Sequence, residues 1–340
     1  MTGRTIVYLP NWLGDMVMAV PFLHALRAYI YGEIWAIGKS NAIHIYNGLN
    51  LFDRFIAVDD KGVIPFLDTV SVLKKVSFKR GIVLPHSFRS ALLFFTLLLR
   101  ERIGYARNKR GFMLNRKIGE GNDIEPTVEH YLRIIDALGG KRSLDAPVLL
   151  VTEDEEQKFD KKFTEIRKPY AVFIVGAQYG PSKCWPAHHF SELADMIVRQ
   201  YGMKVYMLPG KGEEEVADTI LAGVAEKNHV EVRSMSVMEL KVCISRASLV
   251  VSNDTGPRHL AAALSTPTIV LMGPMDDRYT CYPSTWTYPL WKDVPCRPCN
   301  KKHCSREHEC LEGITPKEVF VKVEEIIEKR TGQKGNENAG

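Results

Sequence analysis

Three places in this chain put polar or charged residues where a strand hands over to a helix, and their types suit chemistry on an anionic ligand. The first is Asn253-Asp-Thr-Gly256, between the apolar Leu249-Val-Val251 and the helical His259-Leu-Ala-Ala-Ala-Leu264. A helix N-terminus offers unpaired N–H groups to phosphates, so this turn is expected to hold a phosphate-bearing ligand. The second is Pro10-Asn-Trp-Leu-Gly-Asp15, between the strand-like Thr5–Leu9 and an apolar helix from Met16 to Arg27. Asp15 is the lone carboxylate there, and on its own it reads as an N-cap worth about 1 kcal/mol. The third is Lys183, just ahead of Trp185-Pro186, with Pro186 suited to the first position of the next helix. A lysine at a helix N-terminus adds to the positive end of the dipole, which argues for an anion beside it.

Such turns need a scaffold of alternating elements, and the sequence supplies one. Apolar, strand-like runs at Thr5–Leu9, 33–37, Phe55–Val58, 80–84 and 101–104 alternate with helical segments at 16–29, 40–48, 64–76, 88–99 and 126–138. The second half repeats the pattern. Its strands fall at Tyr170–Val175, 204–208 and near 230, its helices at 187–200, 212–225 and 236–246, before the Asn253 turn and Thr268–Met272. This spacing predicts an α/β fold with parallel sheets covered on both faces. At 340 residues the chain is long for one core. Two Rossmann-like domains facing a cleft, 1–152 and 153–315, fit the usual domain size. A helix at 316–330, opened by Thr315-Pro316, is a candidate for packing back on the N-terminal domain. The polar, Gly-rich 331–340 is expected to be disordered.

Composition narrows the classes. With 45% hydrophobic and 25% charged residues, the chain reads as a soluble globular protein. Its start is not a signal peptide, and the Ala91–Leu99 run is less than half of the about 20 residues a membrane span needs. A cytoplasmic location is expected. The net charge is +5, and Arg100, Arg102, Arg107, Lys109, Arg110, Arg116 and Lys117 crowd one stretch. They form either a solvated face or a contact for anionic lipid headgroups or a phosphorylated, carboxylated glycolipid. No nucleic-acid-binding motif accompanies the charge, so nucleic acid is not expected as a partner. Gly210-Lys-Gly212 is not a phosphate-binding P-loop, because no Gly-Lys-Ser/Thr follows. Cys296, Cys299, Cys304 and Cys310 fall within one short segment with His303 and His308 between them. That spacing makes a candidate structural zinc site, with reduced thiols and disulfides as the alternatives.

Taken together, Asn11-Trp-Leu-Gly-Asp-Met-Val-Met-Ala-Val-Pro21, Gly176-Ala-Gln-Tyr-Gly-Pro-Ser-Lys-Cys-Trp-Pro186 and Ser252-Asn-Asp-Thr-Gly-Pro-Arg-His259 resemble the bacterial ADP-heptose:lipopolysaccharide heptosyltransferases. His86-Ser-Phe-Arg-Ser-Ala91 and Glu129–Gly139 are fainter echoes, and the likeness runs from residue 4 to about 325. The wording is nearest the enzyme that adds the second inner-core heptose. The resemblance implies a GT-B architecture and inverting transfer from ADP-heptose to the lipopolysaccharide inner core, at the inner face of the inner membrane, with no cofactor required for catalysis. It implies Asp15 as the base and Lys183, Glu215, Asp254, Thr255, Gly256 and His259 as donor ligands. Arg89, Arg107 and Arg110 stand as candidate acceptor-binding residues. Two alternatives stay open: transfer of another nucleotide sugar to another surface glycan, and a non-catalytic glycolipid- or nucleotide-binding protein.

Overall fold

The structure, a computed structural model, describes residues 3–58, 62–121, 124–142 and 145–337. The chain forms two compact units, the first of residues up to Leu150 together with Arg278–Pro283, the second of the remainder. The second unit therefore begins at Val151, and the chain revisits the first unit late, which the boundary at 152 does not anticipate.

In the first unit the order is β1 (Thr5–Tyr8), α1 (Leu13–Met18), α2 (Val20–Tyr29), β2 (Ile34–Gly38), α3 (Ala42–Tyr46), β3 (Arg54–Ala57), α4 (Val63–Lys74), β4 (Arg80–Val83), α5 (Phe88–Thr96), β5 (Glu101–Tyr105), β6 (Arg116–Ile118) and α6 (Thr127–Leu138). All strand pairs are parallel, in the order β3-β2-β1-β4-β5-β6. Every residue of β1, β2 and β4 is buried, as expected of parallel strands covered on both faces, whereas the edge strand β3 is half exposed. The helix expected at 16–29 starts three residues earlier and is interrupted at Ala19.

The second unit repeats the topology with α7 (Glu153–Lys162), β7 (Tyr170–Ile174), α8 (Ala187–Tyr201), β8 (Lys204–Met207), α9 (Glu214–Gly223), β9 (Val230–Val232), α10 (Val237–Arg246), β10 (Leu249–Asn253), α11 (Gly256–Ala263), β11 (Thr268–Leu271), β12 (Thr287–Leu290), α12 (Glu309–Glu312) and α13 (Pro316–Glu337). Its order is β12-β11-β10-β7-β8-β9, again all parallel. In both sheets the order reverses at a central pair, β1–β4 and β7–β10, the switch point where α/β proteins bind ligands. A capping box between Thr152 and Glu155 starts α7, and Glu155 then pairs inside with Lys241 at 2.8 Å.

The C-terminal helix departs from expectation twice. α13 lies against α8 and buries Val319, Val323 and Ile326 in the core of the second unit, its own, rather than on the N-terminal domain. It also continues past residue 330 to Glu337, against the disorder expected of the polar, Gly-rich tail; residues 338–340 lie outside the described part. Thr315 and Glu318 cap its start reciprocally, at 3.3 and 2.9 Å.

Candidate active site

The Pro10–Asp15 turn leaves the C-terminal end of β1, at the switch point of the first sheet. Trp12 is the N-cap of α1 and makes no side-chain cap bond, which puts Asp15 inside the first turn. The N-cap alternative for Asp15 thus falls. Buried Met16, Val17 and Met18 anchor the helix, and the Tyr46 hydroxyl donates to Met16 O at 2.9 Å. The Asp15 carboxyl is half-buried, and burial lifts it to about 6. The phenols of Tyr46 and Tyr131 are held well above their usual range by their own burial first, then by the Asp15 charge.

Asp15 lines a cavity of about 260 Å³ with His86, Arg107, Glu125, His130 and Tyr131. His130 stacks on Tyr105 at 3.7 Å and shares a 3.2 Å hydrogen bond between Nδ1 and Glu125. His86 Nδ1 and His130 Nε2 are buried without a partner. Burial first, then His130 and the neighbouring arginines, brings His86 down to about 4; burial also lowers His130. Both imidazoles are neutral near pH 7, so each has one nitrogen that donates and one that accepts, a set suited to hydroxyl groups. The sequence reading named neither histidine nor Glu125 as a site residue. His86 and His130 fall in the two faint echoes, whereas Glu125 lies outside both.

The three acceptor candidates among the arginines separate. Arg110 is fully buried: its guanidinium donates to Tyr105 O at 2.9 Å, to Ser87 O at 3.1 Å and to Pro85 O. It ties carbonyls of the β4 and β5 loops and belongs to the interior, not to a ligand surface. Arg89 donates to Gly62 O and lies over the Phe66 ring at 4.8 Å, away from the residues lining the cavity. Arg107 alone lines the cavity, oriented by Glu120 through a bidentate pair at 2.8 and 2.5 Å. Nor is the basic stretch one continuous patch, since Arg102 donates to Leu99 O and Met113 O, both at 2.6 Å, and Arg116 to Ala137 O. Arg110→Ala is therefore expected to lower stability by about 2–4 kcal/mol by unpairing buried carbonyls. Urea unfolding measures it, and an unchanged midpoint would return Arg110 to the surface cluster.

In the second unit the Asn253 turn leaves β10 at the equivalent switch point. Asn253 is fully buried and works as a bracket: Oδ1 accepts Trp185 N at 3.0 Å, and Nδ2 donates to Val175 O at 2.7 Å. This draws the Lys183 loop to the end of β10. Lys183 Nζ donates to Asp254 Oδ2 at 2.8 Å and to Asp254 O at 3.0 Å, and the side chain is 12% exposed. It is no solvated loop lysine. Arg258, one turn into α11, donates to the other Asp254 oxygen at 2.7 Å. Burial disfavours the Asp254 carboxylate, but Arg258 and Lys183 more than offset it and hold the carboxyl well below the usual range. The sequence reading left Arg258 without a role, although its i,i+4 spacing from Asp254 was the available signal. Thr255 is the extended N-cap of α11 and Gly256 its first residue, so the orphan N–H groups of that turn open beside Asp254. His259 is buried, and burial first, then the Arg258 charge, holds its imidazole well below 6.5 in the neutral state.

Glu215 does not join this group. It is exposed on α9, and the glutamate turned inward is Glu213. The Glu213 carboxylate accepts Gly210 N at 2.7 Å and lies so close over Gly176 that a Cβ there would sit 1.8 Å from it. Burial raises the Glu213 carboxyl. Three glutamates in a row hide which one the helix turns inward.

Among the described residues no disulfide joins any of the seven cysteines, which speaks against the disulfide alternative. Cys310 is buried on α12; burial first, then Cys296, Cys304 and Cys299, raises its thiol, so the quartet shares one neighbourhood. Among the described residues, no three of its sulfurs lie within 4.8 Å of one another. The loop is fastened by other means: Ser182 Oγ donates to Lys301 O at 2.6 Å and the Tyr179 hydroxyl to Asn300 O at 2.7 Å, bracing the Lys183 loop.

Comparison with known proteins agrees with this geometry. The profile of glycosyltransferase family 9 (heptosyltransferase) matches residues 69–309. Lipooligosaccharide heptosyltransferase 2 of Haemophilus ducreyi is 26% identical over 297 residues, covering 82% of this chain and 85% of its own. Lipopolysaccharide heptosyltransferase 2 of Salmonella typhimurium is also 26% identical, over 295 residues, covering 82% and 84%. Among solved structures, the ADP-heptose lipopolysaccharide heptosyltransferase II of Escherichia coli superposes with a TM-score of 0.84 at 23% identity, covering 96% of this chain and 99% of that one.

Proposed function

From the premise that this chain belongs to glycosyltransferase family 9, the heptosyltransferases, we propose that it transfers L-glycero-D-manno-heptose from ADP-heptose to the lipopolysaccharide inner core, as the second heptose. The observation that carries the reaction is the Asp15 carboxyl, raised to about 6 by burial and bordering a polar cavity. Such a group is ionised at neutral pH yet basic enough to take a proton from an acceptor hydroxyl. As that oxygen bonds to the anomeric carbon, the bond to the diphosphate breaks on the opposite face, giving inversion. Charge gathering on departing ADP meets the first-turn N–H groups of α11 and the third N–H of Lys183. Arg258 and Lys183 keep Asp254 ionised to accept hydrogen bonds from the donor sugar. Glu213 replaces Glu215 as the glutamate facing the nucleoside, and His259 serves as a neutral donor. Arg107, His86 and His130 receive the acceptor.

Two relatives named heptosyltransferase 2 support the second-heptose acceptor. Incubation with ADP-heptose and either a heptose-free or a one-heptose core tests it by product mass. One heptose added to the one-heptose core is the expected result; addition only to the heptose-free core moves the enzyme one step earlier, and none with either overturns the reading. Work at the inner face of the inner membrane follows from such an acceptor, and among the described residues no helix is long and apolar enough to cross a membrane. The chemistry draws on no cofactor. Zinc at Cys296, Cys299, Cys304 and Cys310 would have a structural part only, and would have to draw the sulfurs closer together than they stand. Purified protein is then expected to carry about one thiolate-bound zinc that Cys299→Ser releases; metal-free protein with four titratable thiols would exclude it.

A further inference from the structure

A second cluster of metal-ligating side chains lies apart from these residues, where α8 begins. His188 and His189 occupy the first turn of α8, and Glu312 ends α12. Among the described residues, they are the one trio whose ligand atoms all lie within 4.8 Å of one another. The two rings stand edge to face at 4.3 Å. His189 is 9% exposed, and its Nδ1 is buried with no hydrogen-bond partner. A buried ring nitrogen without a partner loses its hydration for nothing in return, a cost of about 1–3 kcal/mol that a ligand would remove.

The frame around the trio is stiff. Trp185 packs against His189 with ring centroids 5.1 Å apart, and its indole N–H donates to Ile314 O at 2.8 Å, just after α12. Cys310 and Leu311 anchor α12 in the core of the unit. The trio therefore needs no loop rearrangement to stay together. Glu192, one turn beyond His188, shares with it a hollow of about 410 Å³ and adds a second carboxylate. The α8 dipole and Lys317, which also lines that hollow, oppose a cation here, and the two carboxylates supply the charge to offset them.

We propose that His188, His189 and Glu312, with Glu192 in reserve, form a binding site for a first-row divalent cation of the zinc class. Paired imidazoles with a carboxylate suit zinc, cobalt and nickel, and disfavour magnesium and calcium, which take oxygen ligands. The bound ion would fasten α12, the end of the cysteine-rich segment, onto α8.

Titration of untagged full-length protein with Co²⁺ tests the site, since nitrogen and oxygen ligands give weak visible bands, whereas thiolates add an intense near-ultraviolet charge-transfer band. One Co²⁺ per chain with the nitrogen–oxygen signature is expected, displaced by Zn²⁺. His188→Ala and Glu312→Gln alter exposed side chains, so metal-free melting should not change, while the affinity of that band falls at least about tenfold. Any thiolate band should persist in both variants. A thiolate band alone, a nitrogen–oxygen band unaltered in both variants, or no binding at all would overturn the proposal.

Discussion

Asp15→Asn is expected to reduce transfer by about 10²- to 10⁴-fold, the usual cost of removing a general base, while leaving ADP affinity nearly unchanged. The amide keeps the shape of the carboxyl at a half-buried position of α1 but cannot take the acceptor proton. Stability should move the other way. Asp15 is raised to about 6 by burial, so the folded protein holds its proton more tightly than the unfolded chain does. Its ionised form therefore costs stability above pH 6, and the cost disappears as pH falls through the interval between 6 and about 4. The asparagine variant should be more stable than the parent at pH 8, by about 1–3 kcal/mol at most, and equal to it below pH 4. In the parent enzyme, transfer should rise with pH through about 6 as the base ionises. A purified variant keeping more than about a tenth of parental turnover would remove Asp15 from the base role.

The second large effect belongs to Lys183→Ala, which should lower ADP affinity, turnover and stability together. Lys183 spends two N–H groups on Asp254, and in the proposed mechanism the third meets a phosphate. Losing a cation that meets growing charge on a leaving diphosphate is expected to cost on the order of 10²- to 10³-fold in turnover. Breaking a buried pair can cost about 3–5 kcal/mol, and here less, because Arg258 still holds Asp254. The pH dependence separates the two losses. Asp254 is depressed in the folded state, so its stability is present above about pH 4 and lost as pH falls. Without Lys183 that contribution shrinks, and the variant should lose its deficit in stability toward low pH. Calorimetric titration with ADP reads the other part. Unchanged ADP affinity with lowered stability would confine Lys183 to a structural pair.

The parts of this fold that could be read in the sequence are those where local pattern and tertiary demand coincide. Continuous β-branched runs became the buried central strands β1, β7 and β10, and the turns that end β1 and β10 sit at the switch points. Two of the four edge strands, β6 and β12, went unread. β6 is Arg-Lys-Ile and β12 carries Pro289, compositions that only a strand paired on one side tolerates. At the site, each turn announced itself, but its partners did not. Lys183 and Asp254 meet only because Asn253 draws the two loops together, and nothing local in either loop encodes that. Arg110 sits in a run of cations that looks like a solvated face; its burial depends on carbonyls of Pro85 and Ser87, brought near by the pairing of β4 with β5.

The return of Arg278–Pro283 to the first unit bears on how such enzymes can be recombined. Tyr279 borders the Asp15 cavity, and its carbonyl accepts the Thr127 hydroxyl at 3.0 Å. One wall of a cavity otherwise encoded before Leu150 is thus written into the gene far downstream, inside the portion that specifies the second unit. A chimera spliced once near residue 150 would join the cavity of one parent to the wall of another. During synthesis, likewise, the first unit stays unfinished on the ribosome until most of its neighbour has been made. Exchange of this cavity between relatives therefore needs two splices, the second one bracketing a stretch only a few residues long.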